Sequence, residues 1–213
     1  MGIPELLFLL QGLKWTLALS AIGFLGGGIA GLLVALARTS ERTALARGTA
    51  AYIALFQGTP LLMQLFVTYY GLALVGLQLD PWQAVAIGFT LNASAFLGDI
   101  WRGSIEAVPR GQVEAARALS LGYASRMVDI VLPQAFRISL PATVGYLVQL
   151  IKGTSLASIV GFTELARAGA IVSNQIFKPL VVFGIVGAMY FALCFPLSLV
   201  GSWLERRLAA PTR

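Results

Sequence analysis

The chain has 213 residues, 58% hydrophobic and only 11% charged. A soluble domain is roughly 45–50% apolar and about a quarter charged, so neither a soluble globule nor a disordered chain fits. With no histidine and one cysteine, Cys194, intrachain disulfides, histidine-ligated metals and histidine acid–base catalysis are excluded.

The apolar excess reads as an all-α integral membrane protein forming a single transmembrane domain over 1–213. Taken in chain order, Trp15 to Ala37 is 23 residues without a charge, and Gly48 to Leu79 is 32. Pro81 to Gly98 is 18, and Pro179 to Leu204 is 26. A helix needs about 20 apolar residues to cross the hydrocarbon core. A fifth span has 14 uncharged residues from Ile138 to Ile151, then Lys152, then 11 more to Thr163. The expected spans are 13–37, 50–76, 81–100, 138–163 (interrupted) and 179–204. The runs are continuous and lack the ten-residue alternation of a barrel, so they are helices.

Glu5 precedes Lys14, so a basic region typical of a cleaved leader is missing, and the first span reads as an uncleaved signal-anchor. Five spans put the termini on opposite sides. Eleven arginines (38, 42, 47, 102, 110, 117, 126, 137, 206, 207 and 213) lie in the first and third connections and the tail. Lys14, Arg167 and Lys178 lie on the other side. The positive-inside rule then sets the N-terminus outside and the C-terminus inside. Arginines spread over loops between spans argue against nucleic acid as a partner.

The third connection is unusually long and polar. From Asp99 to Arg137 there are nine charged residues in 39. Connections longer than about 15 residues usually carry function. Val113, Ala116, Leu119 and Leu121 alternate with Arg117 and Ser120. Pro109 and Gly111 punctuate the start, Gly122 interrupts, and Pro133 closes the segment from Met127 to Leu132. Two short helices outside the bilayer are expected within 101–137. One reading rests them on lipid headgroups. The other makes them a docking element, with Ala115, Ala116 and Ala118 allowing close approach and the flanking charges fixing register.

Glu114-Ala115-Ala116, three residues, Ser120, nine residues, then Ile130-Val131-Leu132-Pro133 resembles the EAA motif of ABC importer permeases. That pattern has glycine where this chain has Ser120, with Gly122 two residues later. Gly58-Thr59-Pro60-Leu61-Leu62-Met63-Gln64, Arg110-Gly111-Gln112, Leu132-Pro133-Gln134-Ala135 and Thr154-Ser155-Leu156 resemble the polar amino acid uptake branch.

The resemblance implies a type I importer permease subunit of the bacterial inner membrane, working by alternating access. It implies that the loop couples to an ABC ATPase dimer through Glu114, Ala115, Ala116, Arg117, Ser120, Gly122, Leu132 and Pro133. Glu114 would pair with a basic residue of the ATPase, and Ala115 and Ala116 would form the close-contact face. ATP and Mg would be bound by that partner, because this chain has no phosphate-binding loop and expects no cofactor or metal of its own. Other implied partners are a second permease copy or paralogue, a periplasmic or lipid-anchored amino acid binding protein, and membrane lipid.

Polar groups inside spans are costly and mark candidate paths. Gln57 and Thr59 flank Gly58, where Pro60 loosens the second span. Asn92 lies mid-way along the third span, for a solute or an interhelical hydrogen bond. Lys152, Thr154 and Ser155 interrupt the fourth, where Lys152 either lines a cavity or snorkels to an interface. Relatives of this kind carry Asp in place of Gly153, and its absence favours acidic or neutral amino acids. Asp99, Arg102 and Glu106 share a helix face as an ion-pair ladder or gate. Glu164 is expected at the external end, paired with Arg167 or touching a binding protein. Glycines 23, 26, 27, 28 and 31 suit close helix crossing in the first span, and Gly184 and Gly187 in the fifth.

The competing reading is an ion-coupled secondary transporter of small polar solutes. It needs mid-membrane carboxylates and inverted repeats, and the sequence offers neither. No catalytic constellation supports a membrane enzyme.

Overall fold

A computed structural model describes residues 2–40 and 42–208. Arg213, counted above among the inside-facing arginines, lies outside them. The described residues form helices α1 (Ile3–Arg38), α2 (Thr43–Gln57), α3 (Leu61–Leu74) and α4 (Pro81–Glu106). They continue with α5 (Arg110–Ala118), α6 (Tyr123–Val160), α7 (Leu165–Ile176) and α8 (Pro179–Leu208). α1, α4, α6 and α8 are each long and apolar enough to cross a membrane. α2 and α3 are long and apolar enough to cross only when taken together, and they are bent by 102° at the break between them.

The sequence explains where these helices start. Pro4 occupies the first turn of α1 and Glu5 caps its Gly2 amide, ten residues earlier than the charge pattern suggests. Asp80 and Gln83 form a capping box around Pro81 at the head of α4, with the Asp80 amide donating to Gln83 Oε1 at 3.1 Å. α4 runs past 100 to Glu106 because Arg102 ties both flanking carboxylates to one helix face.

The glycines of α1 settle the principal packing. α1 and α4 form the most extensive helix pair of the described chain. A Cβ at Gly27 would lie 2.3 Å from the Ala93 Cβ, and one at Gly31 would lie 3.1 Å from the Gly98 amide nitrogen. Only a hydrogen there lets the two backbones approach. The main core joins Leu19, Leu65, Phe89, Leu97, Tyr146 and Leu150 from α1, α3, α4 and α6. Gly184 and Gly187 differ from expectation: a Cβ at either meets nothing within 4 Å, so they make no close crossing among the described residues.

One further expectation is corrected. Pro133 does not close a short helix, because α6 runs unbroken from Tyr123 to Val160. The π turn Arg126–Val131 lies directly before Pro133. Its extra residue per turn absorbs the missing amide and the ring clash of proline. The 164–178 connection contains α7, with Leu165, Ala168, Gly169, Val172 and Ser173 buried against α1 and α8. Its helical spacing (i, i+3, i+4, i+7, i+8) was readable; the charges at Glu164, Arg167 and Lys178 masked it.

Candidate functional site

Two regions carry the candidate residues. The first is the arginine-rich end of the bundle. Here α5 packs on the π turn of α6, beside a small core of Val108, Met127, Val131 and Ala135. Glu114, Ala115, Arg117 and Ala118 are exposed, and Leu119 is 75% exposed. Ala116 is 1% exposed and faces the chain itself, so it cannot belong to a contact face with Ala115. The outward face is therefore Glu114, Ala115, Arg117, Ala118 and Leu119, with Leu119 its one large apolar side chain. Leu132 is half-buried, while Gly122 and Pro133 are exposed.

α5 ends in a Schellman motif. The Ser120 amide donates to the Arg117 carbonyl at 2.9 Å, and the Leu121 amide donates to the Ala116 carbonyl at 3.1 Å. Ser120 takes the left-handed φ of 56° that this closure requires, whereas Gly122 is extended with φ −63°. The sharp turn is at Ser120 and not at Gly122. A left-handed non-glycine residue costs about 1–2 kcal/mol. Ser120→Gly is therefore expected to raise the thermal midpoint of the purified chain, by roughly 2–4 °C per kcal/mol recovered. A lower midpoint would contradict the strain.

The second region is the break between α2 and α3. Gly58, Thr59 and Pro60 leave carbonyls without helical donors, and Pro60 gives the first amides of α3 no side-chain cap. Gln64 repairs much of this. Its Nε2 donates to the Phe56 carbonyl at 2.8 Å and to the Thr59 carbonyl and Oγ1, each at 3.0 Å. Its Oε1 accepts from Asn92 Nδ2 at 2.8 Å, and Asn92 Oδ1 accepts from the Tyr146 hydroxyl at 3.0 Å. One amide chain thus links the bent α2–α3 pair to α4 and α6. Beside it lies a cavity of about 130 Å³ whose polar lining is Thr59, Asn92, Tyr146 and Gln149. Gln64, Tyr146 and Gln149 were missed, although each is a polar residue within an otherwise apolar span.

Asn92→Leu would strand the Gln64 amide oxygen and the Tyr146 hydroxyl. Interhelical hydrogen bonds in membranes average about 0.6 kcal/mol and reach about 1.7. The expected loss is about 1–3 kcal/mol, read as a lower thermal midpoint in detergent, with Asn92→Gln recovering part of it. An unchanged midpoint in the leucine variant would remove the network's role.

The remaining candidates separate. Gln57 leaves the cavity and donates to Asp99 Oδ2 at 3.2 Å, while Arg102 bridges Asp99 at 2.8 Å and also Glu106. Lys152 is exposed and Ser155 half-buried, and neither lines the cavity. α6 is not broken at that point; it tightens into a 3-10 turn, Thr154–Val160. Thr154 is 0% exposed, donates to the Ile151 carbonyl at 2.7 Å and lies against Tyr190, so it lines no path within this chain.

Glu164 is also corrected. It is 0% exposed and is the N-cap of α7, not an external contact. Its carboxylate accepts the Ala166 and Arg167 amides and the Tyr190 hydroxyl, each at 2.8 Å, and Thr16 Oγ1 at 3.5 Å. Arg167 instead donates to the Ser158 carbonyl at 2.7 Å. Glu164 therefore locks α1, α7 and α8 together.

Comparison with known proteins decides the family. Residues 27–210 match the family model of the binding-protein-dependent transport system inner membrane component. The chain belongs to that family. The L-cystine transport system permease protein TcyB of Bacillus subtilis (strain 168) is 38% identical, over 92% of this chain and 85% of its own. The arginine transport system permease protein ArtQ of the same organism is 35% identical, over 97% and 94%. Among solved structures, an amino acid ABC transporter crystallised with histidines is 31% identical, with a TM-score of 0.89 over 96% of each chain. The MetNI methionine ABC transporter, inward-facing, shares the fold at 21% identity, with a TM-score of 0.78 over 99% of this chain and 100% of its own. As a permease the chain is a multi-pass component of the bacterial inner membrane, is not an ATPase and carries no cofactor of its own.

Proposed function

We propose that this chain is the permease of an ATP-driven importer of polar amino acids, coupled to its ATPase through α5. The observation that carries this reading is the outward face of α5. An acidic residue, a basic residue, two small residues and a bare leucine stand on a capped helix at the arginine-rich end. Polar amino acids are what the similar permeases are named for, and the chain matches them over nearly its whole length.

The orientation follows the arginines, with α5 inside the cell. The ATPase engages as a dimer, so a second permease copy or paralogue stands beside this one. A binding protein delivers the solute from outside. Binding-protein-dependent transport is the family's description, and one broken span with a 130 Å³ cavity is a thin wall for a path on its own.

The path runs past Thr59, Asn92, Tyr146 and Gln149. These side chains are uncharged, and Glu164, buried within the bundle, already has four donors. A cationic side chain would find no free carboxylate at this cavity, which favours neutral or acidic amino acids.

The test is reconstitution of this chain with its ATPase and binding protein in proteoliposomes. ATP-dependent accumulation of a radiolabelled amino acid is expected, and it should vanish without the chain. Accumulation that needs an ion gradient and ignores ATP would overturn the reading in favour of a secondary transporter.

A further inference from the structure

The exposed residues of α6 form one line. Between Ile138 and Gly153 they are Ile138, Ala142, Gly145, Gln149 and Lys152. Their spacing (i, i+4, i+7, i+11, i+14) sets them on one helix face. The inner part of this line walls the largest cavity, a groove of about 610 Å³ between α6 and α8. Gln149, one turn beyond Gly145, lines the polar cavity described above. Groove and cavity therefore share one face of α6. Lys152 extends that face outward and lies within electrostatic reach of Cys194 on α8.

α8 sorts its residues in the same way. Ser198, Ser202 and Glu205 (i, i+4, i+7) line the groove. Val200, Trp203 and Arg207 (i, i+3, i+7) are exposed on the opposite face, where the Arg207 guanidinium lies 4.9 Å from the centroid of the Trp203 ring. That second face suits lipid and its headgroups. The groove does not. Glu205 is its one charged lining residue, and no arginine lines it. The side chains of Gln149, Lys152, Ser202 and Glu205 have no hydrogen-bond or ion-pair partner among the described residues. Such groups are costly against hydrocarbon, and an acyl chain or apolar helix filling the groove would strand them.

We propose that this groove is the inward half of the solute path, filled with water, and that Glu205 sets its charge preference. The proposal rests on the function given above and on its orientation, which puts Glu205 at the cytoplasmic mouth. The ammonium group of a zwitterionic amino acid is drawn to this carboxylate, and an additional carboxylate on the solute is repelled by it. Lys152, at the outer end of the line, acts in the same way against a cationic side chain. The two charges narrow the solute class from neutral or acidic amino acids to neutral ones.

The experiment is thiol labelling. Cys194→Ala removes the one native cysteine, and Ser202→Cys or Val200→Cys then supplies another. The permease–ATPase complex in lipid nanodiscs is treated with a cationic or an anionic methanethiosulfonate. Labelling is read on the permease by mass spectrometry, each rate divided by that of the same reagent with a free thiol. Both reagents should react at least tenfold faster at position 202 than at position 200. At 202 the cationic reagent should lead by about fivefold, as for opposite unit charges about 7 Å from a hydrated carboxylate. Glu205→Gln should bring the two rates together. In proteoliposomes the same treatment should stop ATP-driven uptake by the Ser202→Cys variant and spare the Val200→Cys variant. Equal rates at the two positions would overturn the proposal, leaving lipid or a second copy as the occupant. So would a lead for the anionic reagent, which would give the mouth to Arg137 and Arg206. An unchanged ratio in Glu205→Gln, or full uptake by the labelled Ser202→Cys variant, would also overturn it. Labelling rates are read without transport, so an unlabelled complex that fails to take up solute counts against the function and not against the groove.

Discussion

Glu114→Lys is expected to stop ATP-driven uptake while leaving the chain folded in the membrane. Glu114 is exposed on α5 and makes no ion pair in the described chain, so its carboxylate is free for a partner. Its neighbours Ala115 and Ala118 let another surface come close, and Leu119 supplies an apolar anchor. Reversing the charge places like charges at a close interface, which costs several kcal/mol. A loss of about 3 kcal/mol is roughly 100-fold in docking affinity. The measurement is recovery of the ATPase with the tagged permease, together with uptake in vesicles. Glu114→Gln should fall between wild type and Glu114→Lys. Full recovery and normal uptake in the lysine variant would end the coupling role of this residue.

The second large effect belongs to Gly27. Leucine there should prevent α1 from seating on α4. A Cβ at Gly27 would meet the Ala93 Cβ at 2.3 Å and the Ala93 and Ser94 backbone at 3.1 Å, so the obstacle is another helix's main chain. Overpacking typically costs about 1–3 kcal/mol where side chains can shift. A backbone cannot step aside within a close-packed pair, so the cost should exceed that range. The expected result is little or no monodisperse protein on detergent extraction. Gly28→Leu is the matched comparison, since a Cβ there meets only the tip of Trp101 at 3.6 Å. Equal yield and equal thermal midpoint for the two variants would refute the close crossing at Gly27.

The spans were legible because charge is excluded from lipid more strictly than any other feature of sequence. Trp15–Ala37 and Pro179–Leu204 both fall inside long helices for that reason. The bend after Gln57 was legible too, since Gly58 and Pro60 are poor helix formers at membrane depth. What the pattern concealed were groups whose charge or polarity is satisfied internally. Glu164 looked like an external residue because it is ionisable, yet its partners come from three helices and only the fold brings Thr16 and Tyr190 to it. Thr154 was misread for the same reason, its hydroxyl being spent on its own helix. Gln64 lay in a motif that drew attention to proline and glycine, while its amide spans the break and reaches Asn92. Ser120 shows the reverse case: a departure from the family pattern that the backbone absorbs at an energetic cost.

The continuity of α6 has a mechanical consequence. Its 38 residues join the surface that carries α5 to the far side of the bundle without a connecting loop. At about 1.5 Å per residue such a rod is about 57 Å long. A tilt of about 10° pivoting at one end moves the other by about 10 Å, more than the width of an amino acid side chain. Tyr146 and Gln149 ride on this rod beside the cavity. A push on α5 therefore arrives at the cavity as the swing of a lever.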